Sequence, residues 1–408
     1  MQGSAMKICM LANAQSKHIL RWAHFFKQRG HEVNIVSARH EKINGIKVYT
    51  PRIPFESKYL QKETFDANRT SNFIVYLKYI LLGCLVRSYL KKIKPDIVMA
   101  MTLQTNGVLS LISGFHPTVY WHLGCEVLSI LSEYSLTMRL LVKRMVRTAD
   151  LFYTMDNSGV QRLVELGCPK DKIRVHPWGI DLNDFPPLPP SSEMRQKYDA
   201  VPGPLVLCVR TLEPHHDALT YVKSTSLISK QYPTARFILI GDGVQRDLIR
   251  QTVDDLNLSG IFFHVGYIPY EQLSSYFSSA DIYVDPVNFP IPEKKRSWWG
   301  HTMRCSSAGL GYTVSLFSAM RYECASAVSN RPGLTDIIPP AYRKYLWQPG
   351  NHEDLAEKIS ALISNPKEMA AYGKESREIV TNPQFDWLTN CEKTEAEYLE
   401  VISRGQST

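Results

Sequence analysis

The sequence predicts an α/β protein of two Rossmann-like domains, each a doubly wound parallel sheet, and three observations predict it. The chain has 408 residues and a mass of 46.6 kDa, the size of two domains. Short apolar runs alternate with amphipathic helical patterns, twice over, as βαβ units require. Between the two series lies Phe185-Pro-Pro-Leu-Pro-Pro-Ser-Ser, whose four prolines remove backbone donors and fix φ, so it reads as a linker. With 44% hydrophobic and 21% charged residues, the composition excludes a disordered chain, collagen or a coiled coil.

The first series opens with a strand over 7–11. A helix over 16–29 follows, with Ile19, Leu20, Ala23 and Phe26 on one face and Gly30 as its stop, and then a strand over 33–37. Further strands are predicted over 97–101, 118–122 and 151–155, separated by helices over 72–92 and 135–148. The second series predicts strands over 205–209, 236–240, 261–264 and 282–285, with helices over 216–231, 244–256 and 270–279. Helices over 351–364, 366–380 and 387–402 close the chain.

Charge divides along the chain. Residues 1–185 hold 25 Lys+Arg against 14 Asp+Glu, while residues 186–408 hold 22 against 25. The basic first half suits an anionic partner or, more plainly, a solvated surface. The apolar stretch within 72–92 is fourteen residues with a lysine inside, too short to span a bilayer, and reads as a core helix. In the helix over 135–148, Arg139, Lys143, Arg144 and Arg147 interleave with apolar residues. That pattern fits either an anionic membrane surface or a solvated face.

The eight cysteines are scattered, with no Cys-x-x-Cys, which favours buried thiols in a reducing cytoplasm over disulfides or a metal site. Met1–Met10 lacks the apolar core of a secretory signal, and residues 1–5 are set aside as a leader. The expected location is cytoplasmic, with peripheral attachment to the inner membrane face as an option.

Three strand-end clusters can carry chemistry, and each has a plain structural reading beside the functional one. Gly241-Asp242-Gly243 follows a strand and precedes a helix, where backbone amides can meet a phosphate, though any strand–helix turn uses such residues. His122 ends a strand in the basic half and can polarise a hydroxyl, with Glu126 close behind. Arg210, followed by Glu213 and His216, has the same topology in the second half, and its guanidinium matches diphosphate oxygens. No G-x-G-x-x-G follows the first strand and no G-x-x-x-x-G-K-[ST] loop occurs, which argues against a dehydrogenase or a P-loop enzyme.

Taken in order, the clusters resemble a family. Asn13-Ala-Gln-Ser-Lys-His-Ile-Leu-Arg-Trp-Ala23, Arg29-Gly-His-Glu-Val33, Lys94-Pro-Asp-Ile-Val98 and Gly124-Cys-Glu126 are similar to the N-terminal unit of family 4 (group 1) glycosyltransferases. Val175-His-Pro-Trp-Gly-Ile-Asp-Leu182, Arg210-Thr-Leu-Glu-Pro214, Ile238-Leu-Ile-Gly-Asp-Gly243, Val265-Gly-Tyr267, Ala280-Asp-Ile-Tyr-Val284 and Ser315-Leu-Phe-Ser-Ala-Met320 continue the pattern. The resemblance covers nearly the whole chain from Met6. It implies the GT-B fold, two domains facing across a cleft: residues 6–185 on the acceptor side, 186–385 on the donor side, and a helix in 386–408 crossing back to the first.

It further implies transfer of a hexose from a nucleotide diphosphate sugar, with retained anomeric configuration, to a glycan or lipid-linked acceptor. Neither a metal nor another cofactor is implied, and no nucleic acid. Donor contacts fall to Arg210, Glu213, His216, Gly241, Asp242, Gly243, Tyr267 and the helix start at Ser315 and Leu316. Ser16, His18, Arg21 and Glu126 fall on the acceptor side, and His122 near the reaction.

The sequence departs from the family where two acidic residues are usual, since those positions are Leu310 and Ser318. Asp285, at a predicted strand end, is the nearest substitute carboxylate, ahead of Glu323. An insertion over 287–309 carries Lys294, Lys295, Arg296 and His301, suited either to rebuilding the site or to binding a partner. Two readings compete with the transferase: an inactive binding or scaffold subunit, favoured by the missing acidic pair, and a sugar-nucleotide epimerase, which needs carboxylates.

Overall fold

A computed structural model of the chain describes residues 5–51, 73–122, 136–177, 179–183, 186, 188–288 and 313–406. The chain forms two compact units, dividing after Pro177 and again after Thr389. The first unit comprises the residues up to Pro177 and those from Asn390 onward.

The first unit is built on seven parallel strands: β1 (Lys7–Leu11), β2 (Glu32–Val36), β3 (Lys47–Tyr49), β4 (Ile97–Met101), β5 (Thr118–Trp121), β6 (Leu151–Thr154) and β7 (Ile173–Val175). Their order is β3-β2-β1-β4-β5-β6-β7, with every pairing parallel. The central strand β4 is an unbroken apolar run, and β1 is apolar after Lys7, because helices cover both faces. Strand order reverses between β1 and β4, which makes that the topological switch point.

On one layer, helix Lys17–Gln28 buries Ile19, Trp22, Ala23, Phe25 and Phe26. Phe26 stacks on Tyr398 at 5.6 Å between ring centroids, so the closing helix Trp387–Gln406 joins that layer through its residues beyond Asn390. Polar bonds fix its register. Glu395 meets Arg29 at 2.9 Å and His31 at 2.6 Å, Tyr153 donates to Glu397 at 2.8 Å, and Trp121 Nε1 donates to Tyr398 at 3.2 Å. Right-handed crossovers put helices Phe73–Ile93, Val108–Ser113 and Leu136–Thr148 on the other layer.

The expected core helix over 72–92 is present, but Leu77, Ile80 and Leu81 are exposed, because the helix is an outer layer with one side against the sheet. Among the described residues no helix is long and apolar enough to cross a membrane.

The second unit holds five parallel strands: β8 (Leu205–Val209), β9 (Arg236–Ile240), β10 (Phe262–Gly266), β11 (Ile282–Asp285) and β12 (Ala325–Val328). Their order, β10-β9-β8-β11-β12, reverses between β8 and β11. Its core gathers Tyr221, Phe237, Trp347 and Tyr372, the last stacked on Tyr342 at 4.3 Å. Helices His352–Ser364 and Pro366–Val380 start cleanly because Asn351 and Asn365 accept the amides of Asp354 and Glu368, at 3.0 and 3.2 Å. Among the described cysteines, Cys9, Cys168, Cys208, Cys324 and Cys391 are buried free thiols, while Cys84 is exposed.

Candidate functional site

The carboxyl ends of β8 and β11 flank the switch point of the second sheet, where open α/β sheets bind ligands. Arg210 is the residue after β8, and Asp285 is the last of β11. Arg331 follows β12, in the loop beside them. Arg210 Nη1 lies 3.5 Å from Asp285 Oδ1, while Arg331 Nη2 donates to Asp285 Oδ2. Arg331 Nη1 also donates to Ser329 Oγ at 2.7 Å. Burial by itself would raise the Asp285 pKa, but Arg331 and Arg210 outweigh it and hold the carboxyl below its ordinary value. One carboxylate therefore balances two guanidinium groups.

Arg210 is itself only 9% exposed, and its Nε and Nη2 are buried without a hydrogen-bond partner among the described residues. Such donors are costly unless something accepts from them, and an anion is the acceptor that a guanidinium fork can take. Asp285 holds the other edge of the fork.

Around it, Thr313 caps helix Val314–Arg321 by accepting the Leu316 amide at 3.0 Å, and its hydroxyl lies 3.4 Å from both Asp285 oxygens. Ser315 Oγ sits 3.1 Å from the same hydroxyl. The expectation that both the Ser315 and Leu316 amides meet a phosphate is corrected for Leu316, whose amide Thr313 already occupies. His216 places Nδ1 2.9 Å from the Thr211 carbonyl and 2.5 Å from the Thr211 hydroxyl; with the carbonyl as acceptor, Nδ1 carries the proton and Nε2 keeps a lone pair. Its pKa is pushed down to about 3 by desolvation and then by Arg210 and His215.

The Gly-Asp-Gly turn shapes the site from behind. A Cβ on Gly241 would lie 1.8 Å from the Arg210 carbonyl oxygen, and one on Gly243 2.7 Å from that of Leu212. The turn lets the two loops touch: the Arg210 amide donates to Ile240 at 2.9 Å and that of Leu212 to Asp242 at 3.0 Å. Helix Arg246–Asp255 starts only after Gln245, so these glycines are not its leading amides, and Asp242 instead pairs with Arg246 at 3.2 Å. Glu213 opens the turn Pro214–His216, and Tyr267, just past β10, is 65% exposed.

Comparison with known proteins decides the family. The family model for group 1 glycosyl transferases matches residues 191–379, and that for glycosyl transferase 4-like domains matches residues 7–157. The chain belongs to the group 1, family 4 glycosyltransferases. Sulfoquinovosyl transferase SQD2 of Arabidopsis thaliana is 22% identical over 89% of this chain and 66% of its own length. A GDP-mannose-dependent phosphatidylinositol monomannoside mannosyltransferase of Mycobacterium tuberculosis is 21% identical over 54% of each chain. The chain thus spans between about half and two thirds of these relatives. Anabaena HepE, solved with UDP and glucose, superposes with a TM-score of 0.70 at 17% identity, covering 97% of this chain and 99% of that one. The fold is GT-B.

In this glycosyltransferase the first unit's switch point is flanked by the loops after β1 and β4. Ser16 is the N-cap residue of helix Lys17–Gln28, with His18 and Arg21 on its first turns. After β4, Thr102 adopts φ 69°, a strained conformation for a β-branched residue, and opens a π-helical turn over Leu103–Gly107. His122 directly follows β5, but it is buried and its Nε2 is 2.7 Å from Thr154 Oγ1, so that nitrogen is already engaged within the protein. Glu126, Leu310 and the insertion over 287–309 from residue 289 on lie outside the described residues.

Ser318 is buried and its hydroxyl donates to the Val314 carbonyl of its own helix at 2.9 Å, leaving no free polar group there. Arg331 and Thr313 were not anticipated from sequence. Arg331 lies three residues past the small-residue strand β12, whereas Arg210 directly follows β8, so strand-end position marks Arg210 and not Arg331.

Proposed function

We propose that this glycosyltransferase moves a hexose from a nucleotide diphosphate sugar to a glycan or lipid-linked acceptor, with the diphosphate on Arg210. The observation carrying this reading is a buried guanidinium at a switch point with two donor nitrogens that have no partner among the described residues. In that role Arg210 neutralises the charge that grows on the departing nucleotide diphosphate, in a site where few waters compete. The amides of Val314 and Ser315 add the partial positive charge of a helix start. His216 Nε2, neutral at physiological pH, is an acceptor for a sugar hydroxyl.

Asp285 is fully buried with both oxygens engaged, so it is a positioning residue that orients Arg210, in place of the direct role on the sugar carbon expected from sequence. Retention of configuration follows from the family resemblance. The nucleotide-dependent names of relatives and neighbours, GDP-mannose in one and UDP with glucose in another, support a nucleoside diphosphate donor.

The test is incubation of the purified protein with a panel of UDP- and GDP-linked hexoses, following release of the nucleoside diphosphate. Release with one donor above a heat-inactivated control supports the reading. Absence of both release and nucleotide binding across the panel contradicts it.

A further inference from the structure

Two neighbouring helices on the outer layer of the first unit carry the same unpartnered pattern. In Phe73–Ile93, Leu77, Ile80 and Leu81 are 43%, 51% and 45% exposed, and Arg87, Lys91 and Lys92 follow on the same face. All six fall within about 140° of arc at 3.6 residues per turn. In Leu136–Thr148, Leu136 and Leu140 are 73% and 59% exposed, and Lys143, Arg144 and Arg147 follow on their face. Arg139, grouped with these cations in the sequence reading, lies off that face and is half-buried.

Helix Val108–Ser113 packs against both, so the two share a layer. Both run antiparallel to a parallel sheet, so their apolar halves point to one end and their cationic halves to the other. At the cationic end of Phe73–Ile93 is a cavity of about 450 Å³ lined by Arg87, Lys91, Lys94, Ser113 and Phe115. Among the described residues none of Arg87, Lys91, Lys92, Lys94, Lys143, Arg144 and Arg147 forms an ion pair.

We propose that this layer is a docking face for an anionic lipid bilayer. The five exposed leucine and isoleucine side chains enter the acyl boundary, and the cationic halves meet headgroup phosphates, one of them in the cavity between Arg87, Lys91 and Lys94. Charge decides the occupant. Six cations on the two helices and Lys94 just past the first, none with an ion pair among the described residues, lie in a half of the chain with 25 Lys+Arg against 14 Asp+Glu and complement an extended anionic plane. The docking stands on the first unit alone and does not depend on which sugar is transferred.

The test is sedimentation of the full chain with phosphatidylcholine vesicles, with and without phosphatidylglycerol. Binding to the anionic vesicles is expected, weakening at high salt as the Debye length shrinks. Arg87→Glu with Lys91→Glu, and separately Ile80→Asn with Leu140→Asn, should each lower the partition coefficient at least tenfold. Both pairs alter exposed side chains, so an unchanged thermal melt is the check on folding. Protein left in the supernatant, equal binding to neutral vesicles, or well-folded variants that bind like the wild type would overturn the proposal.

Discussion

Asp285 and Arg331 form an ion pair in which both side chains are completely buried, and Arg210 approaches the same carboxylate at 3.5 Å. Two cations thus depend on a single buried anion. Removing one partner of such a group leaves uncompensated charge in a low-dielectric interior, which costs far more than the pair contributes when intact.

Asp285→Asn should therefore destabilise the protein by about 3–5 kcal/mol, read from urea unfolding. It should also weaken nucleotide binding together with turnover, because Arg210 loses the group that orients it. A variant with wild-type stability and nucleotide affinity but impaired turnover would restore the direct catalytic role for Asp285.

Gly241 has φ +143°, and the space where a Cβ would sit is filled by the Arg210 carbonyl. Gly241→Ala combines backbone strain, about 1–3 kcal/mol, with a displaced Arg210 loop. The expected result is a lower melting temperature together with weaker nucleotide binding. A variant that melts and binds like the wild type would show that the loop yields freely.

His216 supplies a pH signature. Its folded pKa is lowered to about 3, whereas the unfolded chain titrates near the ordinary 6.5. Below pH 6.5 the unfolded state binds a proton that the folded state refuses, so this contribution to stability is complete above 6.5 and declines as the pH falls towards 3. His216→Gln carries no such proton, so the stability difference between wild type and variant should shrink in favour of the variant from pH 7 to pH 4. Asp217, raised to about 6 mainly by burial, works in the opposite sense but is common to both proteins. A difference that stays flat over that range contradicts the assignment.

Much of this architecture is legible in the residues. The central strands β1, β4, β8, β9 and β11 agree with their expected spans, because each is apolar apart from a charged residue at one end of β1, β9 and β11, as strands covered on both faces are. Strands β3 and β7 were missed because three residues containing a lysine or an arginine leave no periodicity at a sheet edge. Strand β12, Ala-Ser-Ala-Val, was missed because its small side chains carry little hydrophobic signal. The site followed the same logic. Arg210 was readable as a cation ending a strand, but the pairing of Asp285 with Arg331 joins residues 46 apart and arises only when β11 and β12 lie side by side.

Arg210 as the seat of the donor diphosphate is the central claim, and calorimetric titration with UDP and GDP tests it most directly. The wild type should bind at least one of them, and Arg210→Ala should lose about 1.5–3 kcal/mol, the usual worth of hydrogen bonds to a charged group. Equal affinity in the two proteins, or a wild type that binds neither nucleotide, would contradict it.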